Sequence, residues 1–174
     1  FHNFEHASHV VLSITKLLSR ITTSPTEDSM ANNGQEGSQK NLSKNIDRLL
    51  HDTFGIASDP LLQFSVAFAA LVHDVDHAGV PNTQLVKEDT HLAKKYRFKS
   101  VAEKHSIRLA WERLMDSDYR ELRSCLCPNQ SDLKRFRNFV VNTVMATDIA
   151  DKELNGKRKE RWRQCFDEWP DDPT

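Results

Sequence analysis

The chain has 174 residues, a length that fits one domain with its own hydrophobic core. Hydrophobic residues make up 38% and charged residues 28%, and a net charge of −1 gives no electrostatic reason to expect nucleic acid or an anionic membrane as partner. No apolar stretch is long enough to cross a bilayer, and three cysteines are too few and too odd in number for a disulfide framework. Reduced thiols predict a cytoplasmic location, or the cytoplasmic face of a membrane if the full-length protein is anchored.

The first predicted element is an amphipathic helix over residues 6–21, "HASHVVLSITKLLSRI". Apolar side chains recur there at three- and four-residue steps, which is the spacing of one helix face. They are Val10, Val11, Ile14, Leu17, Leu18 and Ile21. Asn3 is the predicted N-cap, because its side-chain oxygen can accept from a free backbone N–H of the first turn.

The same helix carries histidines on two different faces. The apolar face continues toward the N-terminus from Ile14 and Val10 to His6 and then to His2. His9 instead lies on the polar face of the helix. We therefore expect His6 and His2 to face the interior, with His6 a credible metal ligand and His2 a neighbour of the same site. Capping or packing is the alternative role for each histidine taken singly.

Residues 22–45 are rich in Ser, Asn, Gly and Gln and are predicted to be a flexible insert. After it, Asp59 and Pro60 are a strong helix start, and we predict a helix from there to a stop at Gly79. The interior of this helix is apolar on almost every side. It is therefore expected to run through the core.

Further helices complete an all-α prediction. Asn82 is expected to cap "TQLVKE" and Thr90 to cap "HLAKKY", while Ser100 and Glu103 form a predicted capping box. Ser131 precedes a helix whose inner face is predicted to be Leu133, Phe136, Val140 and Val144. No segment alternates with period two for long enough to indicate a strand, and no internal repeat is present.

The stretch "LVHDVDHAG", residues 71–79, places four ionisable groups directly after an apolar run. On a continuous helix His73, Asp74 and His77 share one sector, and Asp76 diverges toward structural contacts. Imidazole nitrogens and carboxylate oxygens are ligands of zinc, manganese and iron. A core histidine bonded to a neighbouring aspartate is the alternative for a single pair, but four such groups favour a metal site.

Four segments in this order resemble the class I 3′,5′-cyclic nucleotide phosphodiesterases of the HD superfamily. They are "HNFEH", "HDVDHAGVPN", "SVAEKHS" and "VMATDIADKEL". The resemblance covers nearly the whole chain apart from residues 22–45. It implies that residues 1–174 are part of a multi-helix HD-type catalytic domain, truncated on its C-terminal side. Regulatory domains elsewhere in the full-length protein are then possible.

The resemblance also implies roles for individual residues. His2 corresponds to the general acid, and His6, His73 and Asp74 correspond to metal ligands, with Asp74 shared by two ions. The remaining positions line the site or surround the second ion and its waters: His77, Asn82, Glu103, Thr147 and Asp148.

The implied reaction is metal-dependent hydrolysis of cyclic AMP, cyclic GMP or both to nucleoside 5′-monophosphates. In the family a hydroxide held between two ions attacks phosphorus, and His2 would protonate the leaving O3′ oxygen. Zinc suits the tighter site, and magnesium or manganese suits the second. An HD-superfamily phosphohydrolase of other nucleotides is the runner-up, and an inactive regulatory or scaffold module is the third possibility.

Some positions depart from the family pattern. Phe1 stands where Tyr is usual, and His9 stands where Asp is common, which agrees with a surface role for His9. The family's fourth metal ligand, its purine-binding Gln and its aromatic clamp come from segments beyond residue 174. We therefore expect these 174 residues alone to bind metal weakly and to turn over little substrate.

The basic run "GKRKERWRQCF", residues 156–166, has two readings. A nucleic-acid or lipid contact is conceivable, but Glu160 interrupts the charge and Trp162 and Phe166 can form one apolar side. A solvated helix with one packed side is the prediction.

Overall fold

The structure is a computed structural model that describes residues 3–22, 53 and 55–166. Its helices are α1 (Phe4–Thr22), α2 (Pro60–Val72), α3 (Asn82–Lys87), α4 (His91–Lys95), α5 (Val101–Leu114), α6 (Arg120–Leu126), α7 (Gln130–Met145) and α8 (Lys152–Phe166). Short 3-10 turns, Ile56–Ser58 and Ser117–Tyr119, precede α2 and α6. No strand occurs among the described residues, which confirms the all-α class. Of the predicted insert 22–45 only Thr22, the last residue of α1, lies within them.

Three of the predicted helix starts have the expected side-chain caps. Asn3 Oδ1 accepts from the backbone N–H of His6 at 2.9 Å, and Asp59 Oδ1 accepts from Leu62 at 3.0 Å. Thr90 caps α4 in the same way, because its hydroxyl oxygen accepts from the N–H of Ala93. Each contact satisfies a donor that the first helical turn would otherwise leave free.

Other predicted caps are wrong. Asn82 is the first residue of α3 rather than its cap, and its side chain turns to other elements, as described below. Ser100 precedes α5 with φ of 45° and makes no capping hydrogen bond, so the predicted Ser100–Glu103 capping box does not form. Helix α7 begins at Gln130, before Ser131, and its capping side chain is Asn129, whose Oδ1 accepts from the N–H of Asp132.

Helix α2 is shorter than predicted, because it ends at Val72 instead of continuing to Gly79. The chain then bends through successive turns, with hydrogen bonds from Val75 N to Val72 O and from His77 N to Asp74 O. Asp76 and Gly79 both have positive φ, 57° and 74°. A left-handed residue cannot continue a right-handed helix, so the charged stretch forms a loop at the end of α2.

The main core lies between α2, α5 and α7. Its buried side chains are Ala69, Val72, Ala110, Leu114, Phe136, Val140 and Val144. Phe136 is 1% exposed and contacts the rings of Phe64, Phe68 and Trp111. The predicted inner face of α7 is thereby confirmed for its three buried members, and Leu133 is half-buried.

A second, smaller core joins α3, α4 and the start of α5 through Leu85, Ala93 and Val101. It brings the first turn of α5 next to the beginning of α3. Since α5 also packs in the main core, this helix connects the two clusters and fixes the position of its own first turn.

Helix α1 packs along α2 with its predicted apolar face. None of its residues is fully buried, and Leu17 on that face remains 52% exposed. His6 is half-buried and His9 is exposed, as the helix pattern predicts. The consequence for the site is that α1 presents His6 toward the end of α2.

Helix α8 contains the basic run, and its predicted packed side is wrong for Trp162. That side chain is 63% exposed. Arg158 of α8 is partly buried and donates to the carbonyl oxygens of Ala146 and Asp148. Across the described residues, no helix combines the length and apolar character needed to span a membrane.

Candidate metal centre

Three side chains from two elements meet where the N-terminal turn of α1 lies beside the end of α2. His73 and Asp74 are the first residues after α2, and His6 comes from α1. Asp74 Oδ2 lies 3.0 Å from His73 Nε2 and 3.4 Å from His6 Nε2. The two imidazole rings are 5.6 Å apart at their centroids. Candidate ligand atoms of all three residues lie within 4.8 Å of one another.

A backbone contact fixes the orientation of His73. Its Nδ1 lies 2.9 Å from the carbonyl oxygen of Ala70. Because a carbonyl cannot donate, Nδ1 must carry the proton of this hydrogen bond, which leaves Nε2 directed at Asp74. Metal-bound histidines are commonly held this way, with one ring nitrogen bonded to a carbonyl and the other on the ion.

The contact between His73 and Asp74 is suited to a bound cation. A neutral imidazole has a single N–H, and His73 uses it on Ala70. At 3.0 Å, Nε2 therefore faces a carboxylate oxygen with a lone pair unless a second positive centre lies there. A proton or a metal ion can supply that positive centre, because each is attracted by both the nitrogen lone pair and the carboxylate.

The spacing of the donors fits a metal ion. Nitrogen and oxygen ligands lie about 2.0–2.2 Å from zinc, so neighbouring donors around one ion are about 2.8–3.6 Å apart at octahedral or tetrahedral angles. The two distances to Asp74 fall within this range, and the candidate donor atoms of His6 and His73 lie within 4.8 Å of each other. His6, His73 and Asp74 are each 15–29% exposed, which leaves space for further ligands from solvent or substrate.

Two other predicted site residues, His77 and His2, are not part of the group formed by His6, His73 and Asp74 in the described structure. Because α2 ends at Val72, His77 does not share a helix face with His73 and Asp74, and the predicted single sector is wrong. Among the described residues the three-donor group does not include His77, whose Nδ1 accepts from the N–H of Gly79 at 3.0 Å. His2, the predicted general acid, lies outside the described residues.

A second polar cluster is centred on Asn82. Its Nδ2 donates to Glu103 at 2.8 Å and to Asp148 at 3.3 Å, and its Oδ1 accepts from the N–H of Ala102 at 2.9 Å. One amide thus joins α3, the first turn of α5 and the loop after α7. Three of the residues predicted to line the site are therefore in contact, although they are up to 66 positions apart.

Asp148 is the most buried member of this cluster, at 5% exposure. Its Oδ1 accepts from the N–H groups of Ala150 and Asp151, so the carboxylate also closes the turn that leads to α8. The neighbouring Thr147 donates its hydroxyl proton to the carbonyl oxygen of Val144 at 2.7 Å. Thr147 thus binds a carbonyl oxygen in the last turn of α7, and the cluster combines a structural turn with two carboxylates.

Sequence reasoning missed the residues that hold the loop carrying His73 and Asp74. His105 Nε2 lies 2.8 Å from Asp76 Oδ2, and Ser106 donates to the carbonyl oxygen of Val75 at 2.7 Å. The structural role predicted for Asp76 agrees with this contact. The available signal was a histidine–serine pair on an otherwise apolar helix face, but one sequence does not indicate which loop it meets.

A cleft of about 710 Å³ opens beside the metal-ligand candidates. Its walls come mainly from apolar residues of α1, α2, α5 and the segment around α6, and both Asp74 and Asp76 border it. Phe4, at 80% exposure, stands at its edge. The group of His6, His73 and Asp74 therefore lies at an accessible edge of the helix packing.

Comparison with known proteins gives a consistent family. The family model described as 3′5′-cyclic nucleotide phosphodiesterase matches residues 1–165. A probable 3′,5′-cyclic-AMP phosphodiesterase of Caenorhabditis elegans is 36% identical over 88 residues, or 48% of this chain and 12% of the relative. A human dual specificity calcium/calmodulin-dependent 3′,5′-cyclic nucleotide phosphodiesterase is 30% identical over 111 residues. These cover 63% of this chain and 15% of the relative.

A 3′,5′-cyclic-AMP phosphodiesterase of Drosophila melanogaster is 33% identical over 92 residues, which is 52% of this chain and 13% of the relative. The matched segments thus span between 12% and 15% of the lengths of these three relatives.

Proposed function

Since this chain belongs to the 3′,5′-cyclic nucleotide phosphodiesterase family, we propose that it contributes metal ligands to the hydrolysis of 3′,5′-cyclic nucleotides to nucleoside 5′-monophosphates. The observation that supports this most directly is the grouping of His6, His73 and Asp74, with two donor spacings of 3.0 and 3.4 Å. The family implies dependence on divalent metal ions, and this donor set is the part of the described chain that suits one.

The donor set favours zinc at this position. Two imidazole nitrogens and one carboxylate oxygen form a ligand combination typical of catalytic zinc, in which a remaining position is left for water or substrate. His73 is held in the required tautomer by Ala70, and Asp74 contacts both histidines. We propose that Asp74 is shared with a second ion, magnesium or manganese, which prefer oxygen ligands.

The two carboxylates bonded to Asn82 are the proposed surroundings of that second ion and its waters. Glu103 and Asp148 accept from the same amide, so their positions are coupled. Carboxylates typically hold magnesium through its water molecules, since this ion gives up water reluctantly. Thr147 and His77 are proposed to line the same region, on the basis of the family motifs alone.

The chemistry assigns a different task to each group. Bound divalent ions would polarise the phosphoryl oxygens and activate water at neutral pH. Cleavage of the P–O3′ bond leaves an alkoxide that needs a proton, and we propose that His2 donates it. His2 precedes His6 by four residues, and its assignment rests on the "HNFEH" motif.

The substrate class is proposed from the relatives. One is named for cyclic AMP and another for dual specificity toward cyclic nucleotides. Both cyclic AMP and cyclic GMP are therefore the substrates to test first.

Hydrolysis should be measured on the protein in its full-length natural form, with cyclic AMP, cyclic GMP, linear nucleotides and simple phosphate esters. We expect turnover of a cyclic nucleotide that depends on added zinc and magnesium, and we expect Asp74→Ala to abolish it. Asp89→Asn is the matched control, because it also removes one negative charge but at an exposed turn.

Three results would contradict the proposal. Hydrolysis of linear esters in preference to cyclic ones would favour a broader HD-superfamily phosphohydrolase. Retention of full activity by Asp74→Ala would remove the proposed metal role. Absence of any turnover together with unimpaired folding would favour a regulatory or scaffold module.

A further inference from the structure

The loop that carries His73 and Asp74 is held by a polar cluster on another helix. After Asp74 the chain passes through Val75 to Asp76, whose φ of 57° lies in the left-handed region, which Asp adopts more readily than most residues with a side chain but still at some cost. Such a conformation persists only where surrounding contacts enforce it. Helix α5 provides those contacts at two consecutive positions, 105 and 106.

The first contact joins His105 to Asp76. His105 Nε2 lies 2.8 Å from Asp76 Oδ2, and the His105 side chain is 11% exposed. A carboxylate accepts, so Nε2 carries the donated proton, and Nδ1 of a neutral ring is then an acceptor. The hydroxyl of Tyr96 lies 3.3 Å from Nδ1 and can donate to it. The contacts form a consistent chain from Tyr96 through His105 to Asp76.

The state of Tyr96 agrees with its role as donor. Burial raises the pKa of its phenol above the usual value near 10, and the charge of Glu112 adds to this effect. A phenol is protonated at neutral pH even at its usual pKa, and the upward shift agrees with this donor state.

The second contact holds the backbone between the ligands and Asp76. Ser106 is 1% exposed, and its hydroxyl donates to the carbonyl oxygen of Val75 at 2.7 Å. Val75 directly follows Asp74, and consecutive Cα atoms are only about 3.8 Å apart, so a displacement at Val75 moves Asp74 as well. Ser106 is on a helix that packs in the main core, and this packing holds the Ser106 hydroxyl in a fixed place.

We propose that Tyr96, His105 and Ser106 are positioning residues that hold the 73–76 loop, through Val75 and Asp76, in the arrangement that binds metal. This inference rests on the proposed function, since it assumes that His6, His73 and Asp74 bind the ion. None of the three residues belongs to the group of candidate metal ligands among the described residues. They act by keeping the donors near their bound spacing before the ion arrives, so that less ordering is required on binding.

The inference predicts a graded response to substitution at position 105. His105→Leu removes the donor to Asp76. Loss of a group bonded directly to a metal ligand typically weakens metal binding about 10- to 100-fold, and since His105 acts through Asp76 we expect the lower end, about tenfold. His105→Gln keeps an N–H near the position of Nε2 and should remain within about fivefold of the unsubstituted protein. Zinc affinity should therefore depend on the hydrogen bond from position 105 to Asp76, and not on the presence of an imidazole ring at that position.

Ile107→Ala is the matched control for general destabilisation. Ile107 is on the same helix and packs against the main core instead of the loop contacts described above. The Ile107→Ala substitution should lower the unfolding temperature of the protein while leaving its zinc affinity within about threefold of the unsubstituted protein. The probe is zinc itself, titrated in competition with a chromophoric chelator, and the absorption spectrum of bound cobalt reports whether the coordination geometry has changed.

The outcomes separate this inference from the proposed function. If the unsubstituted protein and His105→Gln bind zinc tightly and His105→Leu binds it at least tenfold more weakly, the positioning role is supported. If His105→Leu binds as tightly as the unsubstituted protein, or Ile107→Ala loses as much affinity, the role is refuted while the metal site stands. All of these titrations use the protein in its full-length natural form. If that unsubstituted protein does not bind zinc, both the metal site and the positioning role are refuted.

Discussion

Replacing Asp74 by Asn tests the proposed metal centre with a minimal change of shape. The substitution keeps the side-chain volume and one oxygen acceptor but removes the negative charge. Asp74 is the central donor of the group, since its Oδ2 is 3.0 Å from His73 Nε2 and 3.4 Å from His6 Nε2. The variant therefore leaves two imidazoles and a neutral amide to hold the ion.

The expected loss follows from the number of ligands. Structural zinc sites with four ligands bind with about 10–16 kcal/mol, which corresponds to about 2.5–4 kcal/mol for each ligand. At 1.4 kcal/mol for each factor of ten, loss of the carboxylate should weaken binding by about two to three orders of magnitude. The amide oxygen remains a weak ligand, so we expect the lower end, about 100-fold.

The assay is zinc competition with a chromophoric chelator, combined with thermal unfolding in the absence of metal. Asp89→Asn is the control, because it changes the net charge equally. Asp89 is 59% exposed at its side chain, pairs with Lys94, and has a φ of 51° that Asn tolerates. A zinc affinity of Asp74→Asn within threefold of the unsubstituted protein, with equal folding, would refute Asp74 as a ligand.

Three further predictions concern stability and reactivity. Phe136→Ala should cost about 3–5 kcal/mol in urea unfolding, because it opens a cavity at a site where the ring is 1% exposed, and a loss below 1 kcal/mol would contradict this packing. Asn82→Ala should cost about 1–3 kcal/mol in the same assay, since two carboxylates and a backbone N–H lose their partner, and unchanged stability would show that water replaces the amide. In a Cys165→Ser background, iodoacetamide at pH 8 should alkylate exposed Cys125 several-fold faster than Cys127. Burial, aided by the charge of Asp132, raises the pKa of the Cys127 thiol and so reduces its thiolate fraction, and the reverse order of labelling would contradict this.

Local features of the fold were predictable where neighbouring residues decide them. The caps Asn3, Asp59 and Thr90 act within three residues of their own positions, and each is confirmed. The buried face of α7 follows from a spacing of three and four residues, which any core-facing helix shares. Such features depend on backbone geometry that is the same in every α-helix.

The incorrect predictions have a common physical cause. The cap pattern predicts local roles for Asn82 and Glu103, but in the structure their side chains hydrogen-bond to each other across 21 positions of sequence. The helix predicted to reach Gly79 ends at Val72, where the following loop instead bonds to Ser106 and His105 on α5. In each case a long-range hydrogen bond competes with a local one, and propensity alone does not decide between them.

The amino-acid sequence by itself determined the all-α class, the family and the kinds of donor atom available, because these depend on composition, periodicity and the order of motifs. Only the tertiary structure decided which donors meet. The packing of α1 along α2 places His6 beside His73 and Asp74, and the turn after Val72 moves His77 out of their group. The same packing gives α5 its role in holding the loop, since the contacts of His105 and Ser106 span 29 and 31 residues of sequence. Contacts over such separations form only when the whole helix arrangement is in place, which is why the arrangement of the site could not be read from its motifs alone.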